Sequence, residues 1–402
     1  MSISSRSKPY LIPEYSLTGD LLSYQRCGLQ YRYYNRGSLS PSTPVQLWFG
    51  EFIHGVMEES YKRWKDTPKD YRFPWDWKQQ IRPIEENIDR RLRARGLSSP
   101  PRLFCPFKEE SEIKGLCENI QHPHKLRASQ RAEAAINTWG PHLFPLIDNA
   151  EVKLKGCRPM PGYQKDISRS NFFGINGVID VISSVNLTNA PTGNLIMHYL
   201  NNNPKIRAII EDLTESEFEI IIDYKGMRRP PIKNPDGNEN PVWKAHGWQI
   251  LTYSWLRSRQ PDAKRPVAGI LFYLNELNPS NDDISELKIE MKQKATDVLP
   301  TKKIDIQMLE KWSEKSKNQL LSTDLREERS IRLVPITNEA QDISLKEFDK
   351  MVSEIESSII KEINCGCITE CWKSNHDEKT CTACDFKTYC PSSKKFYKIK
   401  VP

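Results

Sequence analysis

An aspartate and a lysine two positions apart, Asp223 and Lys225, close the run FEIIIDYKG over residues 218–226. Phe218 to Ile222 has strong β character, and residues two apart on a strand project to one face. The pair is therefore either an ion pair at a sheet edge or a carboxylate and an ammonium that act together. The triplet alone carries little information, because this lysine-rich chain also contains EVK, ELK, EMK, DFK and DAK. Its position at the end of an apolar strand sets it apart, and so does a companion, Asp180, in GVIDVI. Two carboxylates on neighbouring strands can hold a hard divalent cation through oxygen. Such a cation polarises a phosphoryl oxygen and acidifies a bound water. Lys225, with an ordinary pKa of ~10.4, is suited to stabilising developing negative charge rather than to acting as a base.

Thiols form the second chemical group. Of ten cysteines, Cys105, Cys117 and Cys157 are scattered and read as small buried hydrophobes. Cys27 stands near the start, and six follow residue 364. MSISSRSKPYLIPEY has no apolar export segment, so a metal or iron–sulfur site is favoured over a disulfide framework. Cys381-x2-Cys384-x5-Cys390 offers three thiolates from one short loop, and four thiolates suit zinc or a [4Fe–4S] cluster equally. Cys365, Cys367 and Cys371, with His376 nearby, form a second site, of zinc, or replace a ligand of the first set, or are thiols without a metal.

The elements that position these groups can be read from periodicity. Residues 16–64 are helical in two pieces, the second placing Phe49, Ile53, Met57 and Tyr61 on one stripe. From residue 151 the pattern shifts to short β-rich runs: AEVKLKGC, FFGINGVIDVISSV, FEIIIDYKG and VAGILFYLN. The helix VWKAHGWQILTYSWLRSR separates the last two, which gives the order β-β-β-α-β. The 187–217 connection is long enough to cover or reshape a cleft. Polar helices are expected over 303–330 and 344–364. At 402 residues with net charge +7, 38% hydrophobic and 28% charged residues, the chain is a globular α/β protein with no membrane-spanning run. The modest positive charge fits a polyanionic partner without specifying one.

Several motifs then fall in one order. SLTGDLLSYQRCGLQYRYYNRG, GEFIHGVMEESY, GVIDVI, IIIDYKG, the Gln-x3-Tyr of WQILTY and CTACDFKTYC together resemble the PD-(D/E)xK superfamily. The likeness is to its RecB/AddB-like exonuclease branch with an iron–sulfur cluster, which has CRISPR-associated relatives. The resemblance implies a restriction-endonuclease-like central mixed sheet flanked by helices. It divides the chain into N-terminal helices (10–65), a helical insertion (66–150), a nuclease core (151–275) and C-terminal helices with the cysteine segment (276–402). It further implies that His54, Asp180, Asp223 and the Tyr224 carbonyl hold Mg²⁺ or Mn²⁺. Lys225 would stand by the attacking water, Gln249 and Tyr253 would position the strand or the lysine, and Glu151 would be an auxiliary acid. Cys27, Cys381, Cys384 and Cys390 would bind a [4Fe–4S] cluster that clasps the two ends of the chain together.

Arg228, Arg229 and Lys233 directly follow Lys225 and are expected to contact the nucleic-acid backbone. The implied activity is metal-dependent hydrolysis of DNA, single-stranded and exonucleolytic, in the cytoplasm or on the nucleoid. No G-x4-G-K-[ST] motif is present. Unwinding would therefore fall to a helicase or another complex subunit. Two alternatives stay open: a catalytically silent nucleic-acid-binding subunit, and a redox or zinc-dependent interaction protein centred on the C-terminal cysteines.

Overall fold

The computed structural model describes residues 12–36, 45–106, 124–165, 167–186, 192–313, 320–375, 378–382, 384–388, 390 and 391. A six-stranded mixed sheet organises them. Its strands are β1 (Glu14–Ser16), β2 (Ile147–Pro159), β3 (Phe172–Asn186), β4 (Glu217–Lys225), β5 (Pro266–Tyr273) and β6 (Ile331–Pro335). The order is β1–β3–β4–β5–β6, with β2 paired to β3 off this path. β4 and β5 run parallel, so the chain must cross over between them, and the intervening helix does this.

The helices are α1 (Leu22–Arg26), α2 (Gly28–Arg36), α3 (Val45–Asp66), α4 (Arg82–Ala94), α5 (Arg127–Leu143), α6 (Leu195–Asn202) and α7 (Pro204–Glu211). After β4 come α8 (Pro241–Ser258), α9 (Asn281–Lys292), α10 (Lys303–Lys311), α11 (Thr323–Ser330), α12 (Asn338–Cys365), α13 (Ile368–Cys371) and α14 (Glu378–Thr382).

Both faces of the sheet are covered, which is why β4 reads as an unbroken apolar run rather than an alternating one. Ile220, Ile222 and Tyr224 join one core with Phe52, Ile53, Val56 and Met57 of α3 and with residues of α4 to α7. Ile221 points the other way, into a core built with Leu21, Trp248, Leu256, Phe348 and Val352 of the N-terminal turn, α8 and α12. The expected helical insertion over 66–150 thus forms one wall of the main core. A small third core ties α9, α10 and α11 together through Leu287, Leu309 and Leu325.

The anticipated β-β-β-α-β order is β2-β3-β4-α8-β5. Two strands escaped the sequence reading, β1 and β6, of three and five residues. Each is too short to show alternation, and β6 starts directly at the end of α11. The 187–217 connection also differs from expectation. Ile196, Leu200 and Ile206 of α6 and α7 are buried in the main core, and no described residue of this segment lines the cleft beside Asp223. Cys105 is buried as expected, Cys157 lies on the exposed face of β2, and Cys117 is outside the described residues. Among the described residues, no helix is long and apolar enough to cross a membrane.

Candidate active site

Strand register brings three carboxylates into one row. The β2–β3 pairs Ala150–Val181 and Val152–Ile179 flank Glu151 and Asp180 and set them opposite each other. The β3–β4 pair Val181–Ile222 sets Asp180 next to Asp223 in the same way. α3 delivers His54 over this row. Its approach depends on Gly226, where a Cβ would meet the Phe49 ring at 3.1 Å and Ile53 at 3.5 Å. His54 Nε2 lies 2.7 Å from the Tyr224 carbonyl oxygen, and its Nδ1 lies 3.2 Å from Asp180 Oδ2. The same Asp180 oxygen accepts the Tyr224 N–H at 2.8 Å. Ligand atoms of His54, Glu151 and Asp180 all fall within 4.8 Å of one another. Glu151 adopts φ 53°, a left-handed conformation uncommon for a glutamate and of a kind that clusters at functional sites.

On the α8 side, a hydrogen-bond chain joins the remaining groups. Lys225 Nζ donates to Gln249 Oε1 at 2.6 Å, and Gln249 Nε2 donates to Asp223 Oδ1 at 3.0 Å and lies 3.1 Å from the Tyr253 hydroxyl. Gln249 and Tyr253 share a helix face because they are one turn apart. Tyr253 can come this close to β3 only because position 177 is glycine, where a Cβ would come within 2.7 Å of the ring. Lys225 Nζ also stands 2.6 Å from the buried Asp223 Oδ2 as an ion pair.

The two aspartates are tuned apart. For Asp180, burial favours the neutral acid, but His54, the Tyr224 N–H and Lys225 outweigh it and lower the pKa. For Asp223, burial prevails over Lys225, and the neighbouring Asp180 adds to it, so the pKa rises. His54 responds in kind. Burial alone would lower it, yet Asp180 and then Asp223 raise it to about 9. His246, one turn before Gln249, is held neutral, pushed down to about 3 by burial and by the charges of Lys225 and Arg332.

The expected basic contacts turn out differently. Arg229 is buried, and its guanidinium is consumed inside the fold: it pairs with Asp297 and donates to the Ile331 carbonyl at 2.6 Å and the Arg329 carbonyl at 3.3 Å. Arg228 turns to Glu290 of α9, at 2.6 Å. Lys233 is exposed on a hairpin closed by a Lys233–Glu239 bridge. None of the three lines the cleft of about 830 Å³ that contains His54, Asp180, Asp223, Lys225, Gln249 and Tyr253. The cations that do line it, besides Lys225, are Lys153 and Lys155 of β2. The alternation Glu-Val-Lys-Leu-Lys over 151–155 was the signal for them, since it sets the charges on one face of a strand.

Cys27, Cys381, Cys384 and Cys390 border one small cavity with Leu29, Tyr33 and Phe386, but no three of their sulfurs lie within 4.8 Å of one another. Burial raises the Cys384 pKa, and the three companion thiols add to the effect. The surrounding ties are independent of any metal. Asn375 Nδ2 donates to the Arg26 carbonyl at 2.9 Å, Leu29 N–H to the Lys373 carbonyl at 2.9 Å, and Tyr34 to Asp385 at 2.6 Å. Of the second cysteine group, Cys365 and Cys371 place their sulfurs 2.8 Å apart, whereas Cys367 turns to Thr369. His376 lies outside the described residues.

No curated protein matches the chain. A family model does: residues 205–391 match the PD-(D/E)XK nuclease superfamily, a span that carries Asp223, Lys225, Gln249, Tyr253 and the three C-terminal cavity thiols and begins downstream of His54, Glu151 and Asp180.

Proposed function

We propose that the chain is a divalent-metal-dependent deoxyribonuclease that degrades single-stranded DNA from an end. The observation that carries this reading is the row Glu151–Asp180–Asp223 beside His54, with the Lys225 ammonium against Asp223. The residues fit a hard cation. His54, Glu151 and Asp180 offer ligand atoms within 4.8 Å of one another, and Asp223 follows next to Asp180 on the neighbouring strand. His54, Asp180, Asp223 and the Tyr224 carbonyl would hold Mg²⁺ or Mn²⁺, with Glu151 as the auxiliary acid. The imidazole favours the later ion. Once bound, the ion would supply Lewis-acid polarisation of the phosphoryl oxygen and a more acidic water.

The chain's own groups do the rest. Lys225 places a fixed positive charge where negative charge builds up on the phosphorane oxygens. Gln249 holds that ammonium and Asp223 at the same time, so the two keep a fixed separation. Tyr253 braces Gln249 from one turn further along α8. With no phosphate-binding loop of the helicase type in the sequence, a duplex would need a partner subunit to open it.

Cys27, Cys381, Cys384 and Cys390 would hold a tetrathiolate group once drawn together around it, and the family resemblance favours [4Fe–4S] over zinc. Its ligation would add to the ties between the two ends of the chain. Iron and sulfide content, with a visible absorbance lost in Cys27→Ala, tests the cluster. Stoichiometric zinc in a colourless protein overturns it.

The activity is tested with purified chain, Mg²⁺ or Mn²⁺, and end-labelled single- and double-stranded DNA. Progressive shortening of the single strand from one end is expected. Intact substrate, or Asp180→Ala protein that cleaves as wild type does, overturns the reading.

A further inference from the structure

The cleft continues away from the carboxylate row along β2 and β3, and its wall repeats. Register sets Lys153 opposite Val178 and Lys155 opposite Asn176, two and four residues beyond Glu151 on β2. All four line the cleft with Asp180 and Asp223. Lys153 and Lys155 are exposed while Leu154 between them is buried, and Val178 is 38% exposed. Two residues of extended chain advance ~6.7 Å, which sets the interval between the two lysines. One nucleotide spans as many backbone bonds as two amino-acid residues. An extended polynucleotide laid along β2 therefore meets one ammonium per phosphate.

The far end of this wall already binds an anion of the protein's own. Lys155 Nζ lies 3.1 Å from both carboxylate oxygens of Glu14, and Asn176 Nδ2 donates to the same carboxylate at 3.2 Å. Lys155 first, and Asn176 next, lower the Glu14 pKa. A phosphate on Lys155 must compete with this carboxylate.

Resting on the nuclease reading above, we propose that Lys153 and Lys155 form a phosphate-binding track that leads one unpaired polynucleotide strand to the carboxylate row, with Glu14 as an internal competitor at its outer end. Val178 and Asn176 flank the track and present an apolar and an amide surface to sugar and base. The track engages phosphates rather than base edges, so it tolerates any sequence.

The test is binding of a short fluorescent oligothymidine to the full chain, in chelator, across a range of salt. Each of Lys153→Ala and Lys155→Ala is expected to reduce the steepness of log K against log salt by about 0.7, and the double variant by about twice that. Lys→Arg at both sites retains the slope, and Glu14→Gln binds more tightly than wild type. A double alanine variant that melts like wild type and keeps its affinity and slope overturns the track. A parallel Mn²⁺ cleavage assay on the wild type separates the two proposals. Cleavage with an unchanged slope sinks the track and leaves the nuclease reading intact. A reduced slope without cleavage sinks the nuclease reading and leaves a strand-binding track.

Discussion

Two charged clusters flank residue 226, and they are built in opposite ways. At the end of β4, Asp223 and Lys225 join Asp180, Glu151 and His54 around an open cleft, where two carboxylates are driven to different pKa values. A few residues on, Arg229 enters a network turned away from the cleft, with Asp297, Glu276, Arg329 and Arg332. Arg329 donates to Glu276 at 2.8 Å, and Arg332 reaches Asp297 at 2.8 Å while its guanidinium covers the Trp243 ring at 4.5 Å. The first cluster has charge directed at a space. The second directs its charge at itself. The difference shows that what an ionic group can do depends on whether its partners leave it a free direction, and distance from a catalytic motif does not decide that.

The sharpest way to break this comparison is to neutralise one member of each cluster and measure activity and stability together. Asp223→Asn and Lys225→Ala are expected to lower the cleavage rate by about 10²- to 10³-fold or more, the scale of losing one preorganised charge. Asp223→Asn leaves the melting temperature unchanged or raises it, because burial and Asp180 already disfavour the ionised Asp223 carboxylate. A large fall in melting temperature for Asp223→Asn would mean that the open cluster is structural after all.

Arg229→Ala is the converse. It leaves Asp297 with Arg332 alone and removes donors from two backbone carbonyls, while the backbone N–H of residue 229 still reaches Glu276. Breaking a buried pair on one side costs on the order of 3 kcal/mol or more. Denaturant melts should show that loss, while cleavage per folded molecule stays at the wild-type level.

How much of this was legible in the sequence follows the same division. The strand carrying Asp223 was readable because both faces of the sheet are covered, which leaves a continuous apolar run. His54 was readable as one side chain on an amphipathic helix, although only Gly226 and its contact with Phe49 explain how the helix comes close enough. Arg229 misled because a basic residue after a candidate active-site lysine looks the same whether it faces solvent or Asp297, 68 residues away in the chain. Lys153 and Lys155 passed unnoticed although their alternation was visible. Only the β2–β3 register shows that the face they share is the cleft face. β1 and β6 were hidden by brevity, since three and five residues cannot establish a period.

Acid titration gives a finer test of the Arg229 network. Burial alone would raise the Asp297 pKa, but Arg229 and then Arg332 hold its carboxyl well below the usual range. A carboxyl depressed in the folded state contributes stability above its unfolded pKa of about 3.8 and loses it as pH falls towards the folded value. Asp297→Asn should therefore be less stable than wild type at neutral pH, and the gap should narrow as pH drops below about 3.8. A gap that stays constant down to strongly acidic pH would show that the Arg229 and Arg332 contacts do not depend on the charge of Asp297.

The smallest effect is expected at Lys233, which belongs to neither cluster. It is exposed, its hairpin is closed by backbone pairing with Glu239, and it does not line the cleft. Lys233→Ala should change stability by no more than about 0.5 kcal/mol and leave the salt slope of single-strand binding as it is in wild type. The slope matters more than the affinity here, because counterion release counts the phosphates actually neutralised. A slope reduced by about 0.7 would place the strand over the 227–240 hairpin. That result would return Lys233 to the binding surface and leave Arg228 and Arg229, held by Glu290 and Asp297, as the structural exceptions among the basic residues after Lys225.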